Sequence, residues 1–377
     1  MLGTKTKLMK IAINGTYIQE QASGLGVVTN NLIDRLINSQ PKLDIMLYSH
    51  ANYLKDRYSK NIISVTDSIS PDRGFSGHIK RLLWYQTGLK KHLKRQNATL
   101  FFSLANEGML FPSIQQIITV YDLIPLKYPE VSPKWKYYYL YILPLILKSS
   151  QKIISISQHT KKDLIETYKL PSESIEVVHM GFDRNLFFPQ QDFETLKKYK
   201  LDKYLLYVGD MRFYKNLDRC LAAFDRLPFK DYQFVITGKK DDFFYPKLKD
   251  KVDLLSAKDR IVFLDYVPTT DLPSLYSMAQ CLVFASLYEG FGLPVLEAMA
   301  CGCPVIAANS TSIPEVGGDS VFYVNPYDIK NIAKAMYEIL TEENLRRNLS
   351  DLGRERAKLF SWDKTAEGIR ATICKQL

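Results

Sequence analysis

The sequence contains no apolar run that approaches the roughly 18–20 residues of a membrane-spanning helix. Residues 1–14 pass directly from a Lys-containing segment into a short apolar run, without the apolar core and cleavage site of a secretory signal. The five cysteines and the five histidines lack the spacing of a metal site, and no Asp-x-Asp pair occurs. These absences argue against a membrane-spanning protein, a disulfide framework and a bound metal. They predict a cytoplasmic chain with reduced thiols.

The length and composition indicate a globular protein of two domains. A chain of 377 residues is too long for one ordinary hydrophobic core. Its fractions of hydrophobic (46%) and charged (24%) residues are those of a folded protein with a normal core.

The positive charge is concentrated in the first half of the chain. Residues 1–190 hold 24 Lys and Arg against 14 Asp and Glu, whereas residues 191–377 hold 26 of each. The excess is densest in residues 73–95, which contain seven cations and no acid. Apolar residues recur there at near-helical spacing beside Trp84, which predicts an amphipathic helix on an anionic membrane surface. Two alternatives stay open: the solvated face of an ordinary helix, and a nucleic-acid contact, which the lack of a nucleic-acid-binding module disfavours.

Short, β-rich apolar runs alternate with helical patterns in both halves. The predicted strands are Ile11–Asn14, Asp44–Tyr48, Leu100–Ser103, Ile117–Tyr121, Ile153–Ser157, Tyr204–Val208, Gln233–Thr237, Ile261–Leu264, Cys281–Ala285, Val305–Ala308 and Val321–Val324. This alternation predicts an α/β protein with two Rossmann-like, doubly wound domains. A polar stretch around residues 184–203 places the boundary, and we assign residues 1–188 and 189–359 to the two domains. If the domains face each other across a cleft, the loops at the carboxyl ends of their strands line it.

The most informative segment follows the predicted strand Cys281–Ala285. A Gly-rich turn leads to Pro294, which suits the first position of a helix because its missing N–H costs nothing there. The backbone N–H groups near Phe291, Gly292 and Leu293 are then expected to face an anion, aided by the helix dipole.

Two carboxylates bracket this turn. Glu289 lies in the turn, and Glu297 is expected in the first turn of the helix. An anion site between two acids suits a ligand with a phosphate core and hydroxyl-rich ends, which is the shape of a nucleotide-sugar.

A second cluster follows the predicted strand Tyr204–Val208. Gly209 ends the strand, and Arg212 and Lys215 stand three residues apart in the next loop. Both cations can reach one anion, Arg with a planar fork and Lys with a compact charge. In the first half, Gly24 and Gly26 open a helix and would let the backbone approach phosphates.

The pattern Glu289-x7-Glu297 resembles the signature of the retaining family 4 glycosyltransferases, and supporting matches extend along essentially the whole chain. The resemblance implies the GT-B fold, with nucleotide-sugar bound by the second domain and acceptor by the first, onto which the last helix, within residues 360–377, packs back. It implies that Arg212 and Lys215 neutralise the donor diphosphate, that Glu289 holds hydroxyls of the donor sugar and that Glu297 holds the ribose. Gly209 and Val267 complete the implied donor site.

One segment departs from the family pattern. Where the family usually has His-Asp, this chain has Tyr121-Asp122. A neutral Tyr is a far poorer base than His at pH 7, so we expect Tyr121 to contact the sugar and not to transfer a proton. Asp122 matches the pattern and is a candidate catalytic residue, although the cap of a helix or turn is an equally good interpretation.

The resemblance implies a metal-independent hexosyltransferase without a cofactor that retains the anomeric configuration. GDP-mannose is the favoured donor, a UDP-sugar is possible, and the acceptor would be a sugar or lipid-linked sugar at the inner membrane face, in polysaccharide or glycolipid synthesis. Nucleic acid is not expected as a partner. Two other classes stay open: a nucleotide-sugar epimerase of the same design, and a non-catalytic basic protein that binds membrane or nucleic acid.

Overall fold

The computed structural model describes residues 10–18, 25–38, 43–51, 54, 56–264 and 266–376. Contacts within the chain divide it into two compact units. Unit 1 consists of Met1–Met180 and Trp362–Leu377, and unit 2 of Gly181–Ser361. The division therefore falls several residues before the expected boundary between residues 188 and 189. Segment 181–188 goes with unit 2 because Arg184 donates hydrogen bonds to the carbonyl oxygens of Lys358 and Phe360, at 2.7 and 2.9 Å.

Unit 1 contains a seven-stranded sheet in the order β3-β2-β1-β4-β5-β6-β7, in which every neighbouring pair is parallel. Its strands are β1 (Lys10–Asn14), β2 (Asp44–Ser49), β3 (Ile62–Ser64), β4 (Leu100–Ser103), β5 (Gln115–Val120), β6 (Lys152–Ser155) and β7 (Ile175–Val177). Five of them coincide with predicted strands. The two that the sequence did not indicate, β3 and β7, are three-residue strands at the edges of the sheet, too short to show a periodic pattern.

The helices of unit 1 connect these strands. They are α1 (Leu25–Ile37), α2 (Gly74–Trp84), α3 (Lys90–Arg95), α4 (Ile124–Lys127), α5 (Pro133–Tyr137), α6 (Leu143–Lys148), α7 (Gln158–Tyr168) and, at the end of the chain, α16 (Trp362–Cys374). Asp363 of α16 pairs with Arg35 of α1 at 2.7 Å, and the Thr365 hydroxyl donates to the carbonyl oxygen of His179.

Two long helical segments of unit 1 each contain a π-helical turn. Residues Tyr85–Leu89 join α2 to α3, and Tyr138–Ile142 join α5 to α6. Residues 74–95 are therefore helical throughout, as their periodicity predicts. The two segments pack together through His78 and Trp135, whose ring centroids lie 4.2 Å apart.

Unit 2 contains a six-stranded parallel sheet in the order β10-β9-β8-β11-β12-β13. Its strands are β8 (Tyr204–Val208), β9 (Gln233–Thr237), β10 (Ile261–Phe263), β11 (Cys281–Phe284), β12 (Val305–Ala308) and β13 (Phe322–Val324). All six coincide with predicted strands. Both sheets are parallel and interleaved with helices, which confirms the predicted pair of Rossmann-like domains.

The helices of unit 2 follow its strands along the chain or precede them. They are α8 (Phe193–Tyr199), α9 (Leu217–Asp225), α10 (Phe244–Asp253), α11 (Leu272–Met278), α12 (Leu293–Ala300), α13 (Ile313–Gly317), α14 (Ile329–Thr341) and α15 (Glu343–Ala357). The apolar stripes of α9 and α14 pack with the sheet into one large hydrophobic core. Over the described part of both units, no helix has the length and apolar character needed to cross a bilayer.

Candidate functional site

The candidate site of unit 2 lies at the carboxyl ends of the neighbouring strands β8 and β11. The loop after β8 carries Lys215 in a short 3-10 turn, Phe213–Lys215, and the loop after β11 carries Glu289. Lys215 Nζ and Glu289 Oε1 lie 2.6 Å apart, and both side chains are nearly buried. The fold thus brings together two predicted site residues from separate motifs.

Main-chain and side-chain hydrogen bonds hold the two loops against each other. The N–H of Leu287 donates to the carbonyl oxygen of Tyr214 at 2.7 Å. Asn216 adopts the left-handed conformation (φ 62°), in which an asparagine is tolerated. Its buried amide donates to the carbonyl oxygens of Ala285 and Pro326. No role for Asn216 was predicted from the sequence, although an asparagine directly before a helix is a usable signal of such a bridge.

Lys215 keeps its charge in this setting. Burial alone would lower the pKa of Lys215, but the nearby charge of Glu289 and their hydrogen bond outweigh it, and the net pKa is raised. The ammonium group also lies 5.3 Å from the centre of the Phe284 ring and 5.4 Å from that of Tyr214, where the ring faces favour a cation. The site therefore holds a fixed positive charge among apolar walls.

The Gly-rich turn after Glu289 is fixed by residues that follow β12. The Thr311 hydroxyl accepts a hydrogen bond from the N–H of Glu289 at 3.2 Å. The Ser312 hydroxyl lies 2.9 Å from the carbonyl oxygens of both Glu289 and Phe291 and can donate to either. Gly292 has φ +112°, and a Cβ atom there would come within 2.6 Å of Ile313. Thr311 and Ser312 are supporting residues that the sequence did not reveal.

The predicted anion-binding turn is followed by helix α12, which begins at Leu293 with Pro294 in its first turn. Glu297 lies in the second turn of α12, not in the first as expected, because the helix begins at Leu293. Its Oε2 accepts a hydrogen bond from the Tyr276 hydroxyl at 3.0 Å. Burial raises the pKa of Glu297 to about 7, against the smaller effect of the Tyr276 hydrogen bond, which lowers it.

Arg212 has different neighbours from Lys215. Its Nε lies 3.7 Å from a carboxylate oxygen of Asp210 and 3.9 Å from one of Asp241, and a third of its side chain is exposed. It lines a small cavity of about 90 Å³ formed by the loops after β8 and β9. Gly209, at the start of the same loop, has φ +149°.

The remaining predicted donor-binding residues are dispersed. Val267 is buried in the loop between β10 and α11. Gly26 is buried in the first turn of α1, and Gly24 lies outside the described residues.

Tyr121 and Asp122 follow β5 in unit 1. The Tyr121 hydroxyl donates to the carbonyl oxygen of Leu104 at 2.8 Å, and burial raises the pKa of Tyr121 well above its usual value. A phenol in this state is no base at neutral pH. Asp122 accepts a hydrogen bond from the N–H of Ile124, the first residue of α4, at 2.9 Å.

The basic helical segment 73–95 is partly a buried structural element, so not all of its seven cations can face a membrane surface. Arg81 is 1% exposed and forms a buried ion pair with Glu107. Leu89, an apolar residue of the same segment, is fully buried and cannot insert into a membrane. The sequence contained an indication of this burial. The spacing of His78, Arg81, Tyr85 and Leu89 places them on one face of the helical segment.

Metal ligands do not gather in the part of the chain that the structure describes. Among those residues, no group of three or more His, Cys, Asp or Glu side chains is arranged to hold a metal ion.

The fold and site define a protein of the GT-B type. Residues 22–186 match the model described as Glycosyltransferase Family 4, and residues 189–356 match the one described as Glycosyl transferases group 1. The O-antigen chain mannosyltransferase B of Escherichia coli is 32% identical over 267 residues, which cover 68% of this chain and 69% of that protein. The chain belongs to glycosyltransferase family 4 and is a glycosyltransferase.

Two further comparisons agree with this assignment. The O-antigen chain mannosyltransferase RfbU of Salmonella typhimurium is 28% identical over 294 residues, or 77% of this chain and 79% of that protein. The solved structure of sucrose-phosphate synthase from Thermosynechococcus elongatus superposes with a TM-score of 0.78 at 21% identity. The superposition covers 98% of this chain and 99% of that one, and it shows a common fold.

The raised pKa of Glu297 predicts a pH-dependent stability. The pKa of Glu297 in the folded protein exceeds its ordinary value of 4.5. The contribution of Glu297 to the free energy of unfolding is therefore fully present below about pH 4.5 and is lost as the pH rises through about 7. We expect Glu297→Gln to raise the melting temperature at pH 8 by about 2–10 °C. At pH 4.5 the two proteins should melt alike. Thermal unfolding followed by circular dichroism across this range measures the effect, and an equal shift at both pH values would contradict it.

Proposed function

We propose that the protein is a retaining hexosyltransferase that moves mannose from GDP-mannose to a hydroxyl of a sugar acceptor. The observation that carries this proposal is the Lys215–Glu289 pair at the carboxyl edge of the unit 2 sheet. It places a fixed cation and a sugar-binding carboxylate side by side, beside a Gly turn that opens a helix. A nucleotide-sugar joins a diphosphate to a hydroxyl-rich sugar and presents both groups that such a pair binds.

In the proposed reaction, the bond between the anomeric carbon and the diphosphate breaks while charge grows on the leaving phosphate. Lys215, Arg212 and the backbone N–H groups near Phe291, Gly292 and Leu293 stabilise that charge, because hydrogen-bond donors act more strongly on a charge in a partly dry site than in water. Lys215 can move from Glu289 to the phosphate, which frees the carboxylate to accept hydrogen bonds from the donor sugar. The acceptor hydroxyl attacks from the face that the phosphate leaves, and the leaving phosphate takes its proton.

The rest of the donor is assigned to the surrounding residues. Glu297 would hold the ribose hydroxyls, with Gly209 and Val267 near the nucleotide. For unit 1, the family resemblance assigns Gly24 and Gly26 to phosphate binding and Tyr121 to sugar binding, and Asp122 is the remaining candidate catalytic side chain. No metal ion or cofactor has a part in this proposal, because the cations and N–H groups supply the positive charge.

The choice of donor and pathway rests on the relatives. Two mannosyltransferases of O-antigen chains are 28–32% identical to this chain over most of its length. This supports mannose as the transferred sugar, with a UDP-sugar as the alternative donor, and a polysaccharide or glycolipid as the product.

We expect the purified protein to transfer mannose from GDP-mannose to octyl α-mannoside in a buffer that contains EDTA. Product formation is measured by chromatography, and the new linkage by the proton coupling of the anomeric carbon in NMR spectra. An α-linked product supports retention. Transfer only from UDP-sugars would reject the donor, and activity that EDTA abolishes and Mg²⁺ or Mn²⁺ restores would reject the metal-independent mechanism. Isomerisation of the donor without an acceptor would identify an epimerase instead.

Replacing the two cations tests their assignment to the diphosphate. We expect Lys215→Met and Arg212→Met each to lower kcat by roughly two to three orders of magnitude, the scale for loss of a preorganised charge stabiliser. Lys203→Met is the matched control, because Lys203 lies in the same unit in an exposed pair with Asp231. Rates near wild type in both site variants, with folding intact, would contradict the assignment.

The protein is also proposed to dock on an anionic membrane surface through residues 73–95. Lys80, Lys91, Lys94 and Arg95 are exposed and Lys90 is partly exposed, whereas Arg73 pairs with Asp67. Apolar side chains are exposed on the same segment and on the adjoining one, residues 133–148. They are Ile79, Leu83, Tyr137, Leu140, Tyr141 and Leu145. Cations beside exposed apolar and aromatic groups are the composition of a membrane-surface helix.

We expect the protein to float with phosphatidylglycerol vesicles at low salt, and to be released by salt, because each cation contributes about 1 kcal/mol near an anionic surface. A variant with Gln at Lys80, Lys90, Lys91, Lys94 and Arg95 should remain unbound. The control replaces five exposed lysines of unit 2 with Gln, namely Lys197, Lys203, Lys249, Lys334 and Lys358, and loses the same charge. Equal flotation of both variants would show that residues 73–95 are not the docking surface.

A further inference from the structure

Unit 1 buries a carboxylate that has no place in the donor site. Glu107 lies in the loop after β4 and is 1% exposed. Its two oxygens accept five hydrogen bonds, from Arg81 Nε (2.8 Å) and Nη2 (2.9 Å), the hydroxyls of Tyr17 (2.8 Å) and Tyr85 (3.1 Å), and His78 Nδ1 (2.6 Å). Four side chains from two distant parts of the chain thus converge on one group.

The cluster stays charged although it is buried. Burial alone would raise the pKa of Glu107, but the hydrogen bonds and charge of Arg81, and then those of His78, lower it to about 2. A buried ion pair is weak evidence of stability, because its desolvation offsets most of its attraction. Within the described residues, His78 Nε2 is also buried without a hydrogen-bond partner, which costs further free energy. A network retained at this cost is better explained by positioning than by stability.

Both π-helical turns of unit 1 deliver a tyrosine to the same loop. Tyr85 begins one π turn and bonds to Glu107. Tyr138 begins the other and donates to the carbonyl oxygen of Asn106, while Tyr139 accepts from the Asn106 amide at 2.6 Å. A π turn interrupts a regular helix and is found frequently at functional sites. Two π turns supply residues that bind Asn106 and Glu107. They indicate that this loop is functional, independently of the buried charge.

The loop also lies where an open α/β sheet binds its ligands. The strand order β3-β2-β1-β4-β5-β6-β7 reverses direction between β1 and β4. Ligands of such sheets bind outside the carboxyl ends of the strands at that reversal. Tyr17 follows β1 there and Glu107 follows β4, while the proposed diphosphate residues are in unit 2.

Tyr17 is the member of the cluster that is partly exposed. Its existing hydrogen bonds determine which interaction its hydroxyl can still make with a ligand. Its proton goes to Glu107, and its oxygen accepts from Arg81 Nη2 at 3.0 Å. The second lone pair of a phenol oxygen is partly delocalised into the ring, so one weaker acceptor position remains for a ligand. Burial, and then the charge of Glu107, raise the pKa of Tyr17 well above its usual value, so the phenol keeps its proton.

We propose that Glu107 is a positioning residue that fixes the Tyr17 hydroxyl so that its oxygen accepts a hydrogen bond from a hydroxyl of the sugar acceptor. The inference rests on the proposed hexosyl transfer and adds the acceptor contact to it. Arg81 completes the arrangement by neutralising Glu107 and occupying the other lone pair of Tyr17. Tyr17 touches the acceptor, and Glu107 acts through Tyr17.

The test compares Tyr17→Phe with Tyr85→Phe, with GDP-mannose as the donor and octyl α-mannoside as the acceptor. Both changes remove one hydroxyl bonded to Glu107, but Tyr85 is fully buried and cannot contact the acceptor. We expect Tyr17→Phe to raise KM for the acceptor about three- to tenfold, the loss of one hydrogen bond, and to leave KM for GDP-mannose unchanged. Tyr85→Phe should lower the melting temperature and leave both KM values within about twofold of wild type.

Glu107→Gln tests the indirect role. Because Glu107 acts through Tyr17, the double variant Tyr17→Phe/Glu107→Gln should have no higher acceptor KM than the worse single variant. An unchanged acceptor KM in Tyr17→Phe, an equal rise in Tyr85→Phe, a rise in KM for GDP-mannose, or additive effects would each overturn the inference. If Glu107→Gln does not fold, the two tyrosine variants decide. A wild type that transfers no sugar rejects the proposed function itself, whereas an active wild type with an unaffected Tyr17→Phe rejects the acceptor contact alone.

Discussion

Parallel pairing of every neighbouring strand is the constraint on which the rest of this molecule depends. In each sheet it brings all carboxyl ends of the strands to one edge, and with them the loops that carry chemistry. Lys215 and Glu289 are far apart in sequence, and they meet because β8 and β11 are adjacent. Tyr17 and Glu107 meet in the same way, because β1 and β4 are adjacent. Each unit therefore has one edge at which short loops can assemble a site.

The buried charged groups at the two sheet edges differ in the number of hydrogen bonds that hold them. In unit 2, Lys215 shares a single hydrogen bond with Glu289, so either side chain can change partner when a ligand offers a phosphate or a hydroxyl. In unit 1, five hydrogen bonds converge on Glu107, and an exchange of partner would strand the buried guanidinium of Arg81. The first arrangement is suited to contact with a changing reactant, and the second to holding a side chain in one place.

Most of the fold could be predicted from the sequence, because each central strand is a continuous apolar run between helical patterns. The edge strands β3 and β7 could not, since a strand of three residues is too short to show a periodic pattern. The sequence also singled out Lys215, Glu289 and Glu297, because glycines, proline and charges stand together there. It could not show that Lys215 pairs with Glu289, since that contact depends on which strands become neighbours.

The cluster around Glu107 could not be predicted from local sequence patterns. Glu107 is an isolated acid in a loop, and its partners Tyr17 and Arg81 lie 90 and 26 residues away in the chain. The contact with Glu107 also explains why Arg81 is buried in the core, although the sequence groups it with the cations of the basic surface. Helical phase, with His78, Arg81 and Tyr85 on the face of Leu89, was the local feature that separated Arg81 from its cationic neighbours.

Helix α16 has a consequence for the order in which the chain can fold during synthesis. Unit 2 is one continuous stretch, Gly181–Ser361, whereas unit 1 also needs Trp362–Leu377, which is synthesised after the whole of unit 2. Domains generally fold in order from the N-terminus as they emerge. Here unit 1 can be completed only after all of unit 2 has been synthesised. Until α16 is synthesised, α1 lacks the helix that it pairs with, so unit 1 stays incomplete while unit 2 is being made.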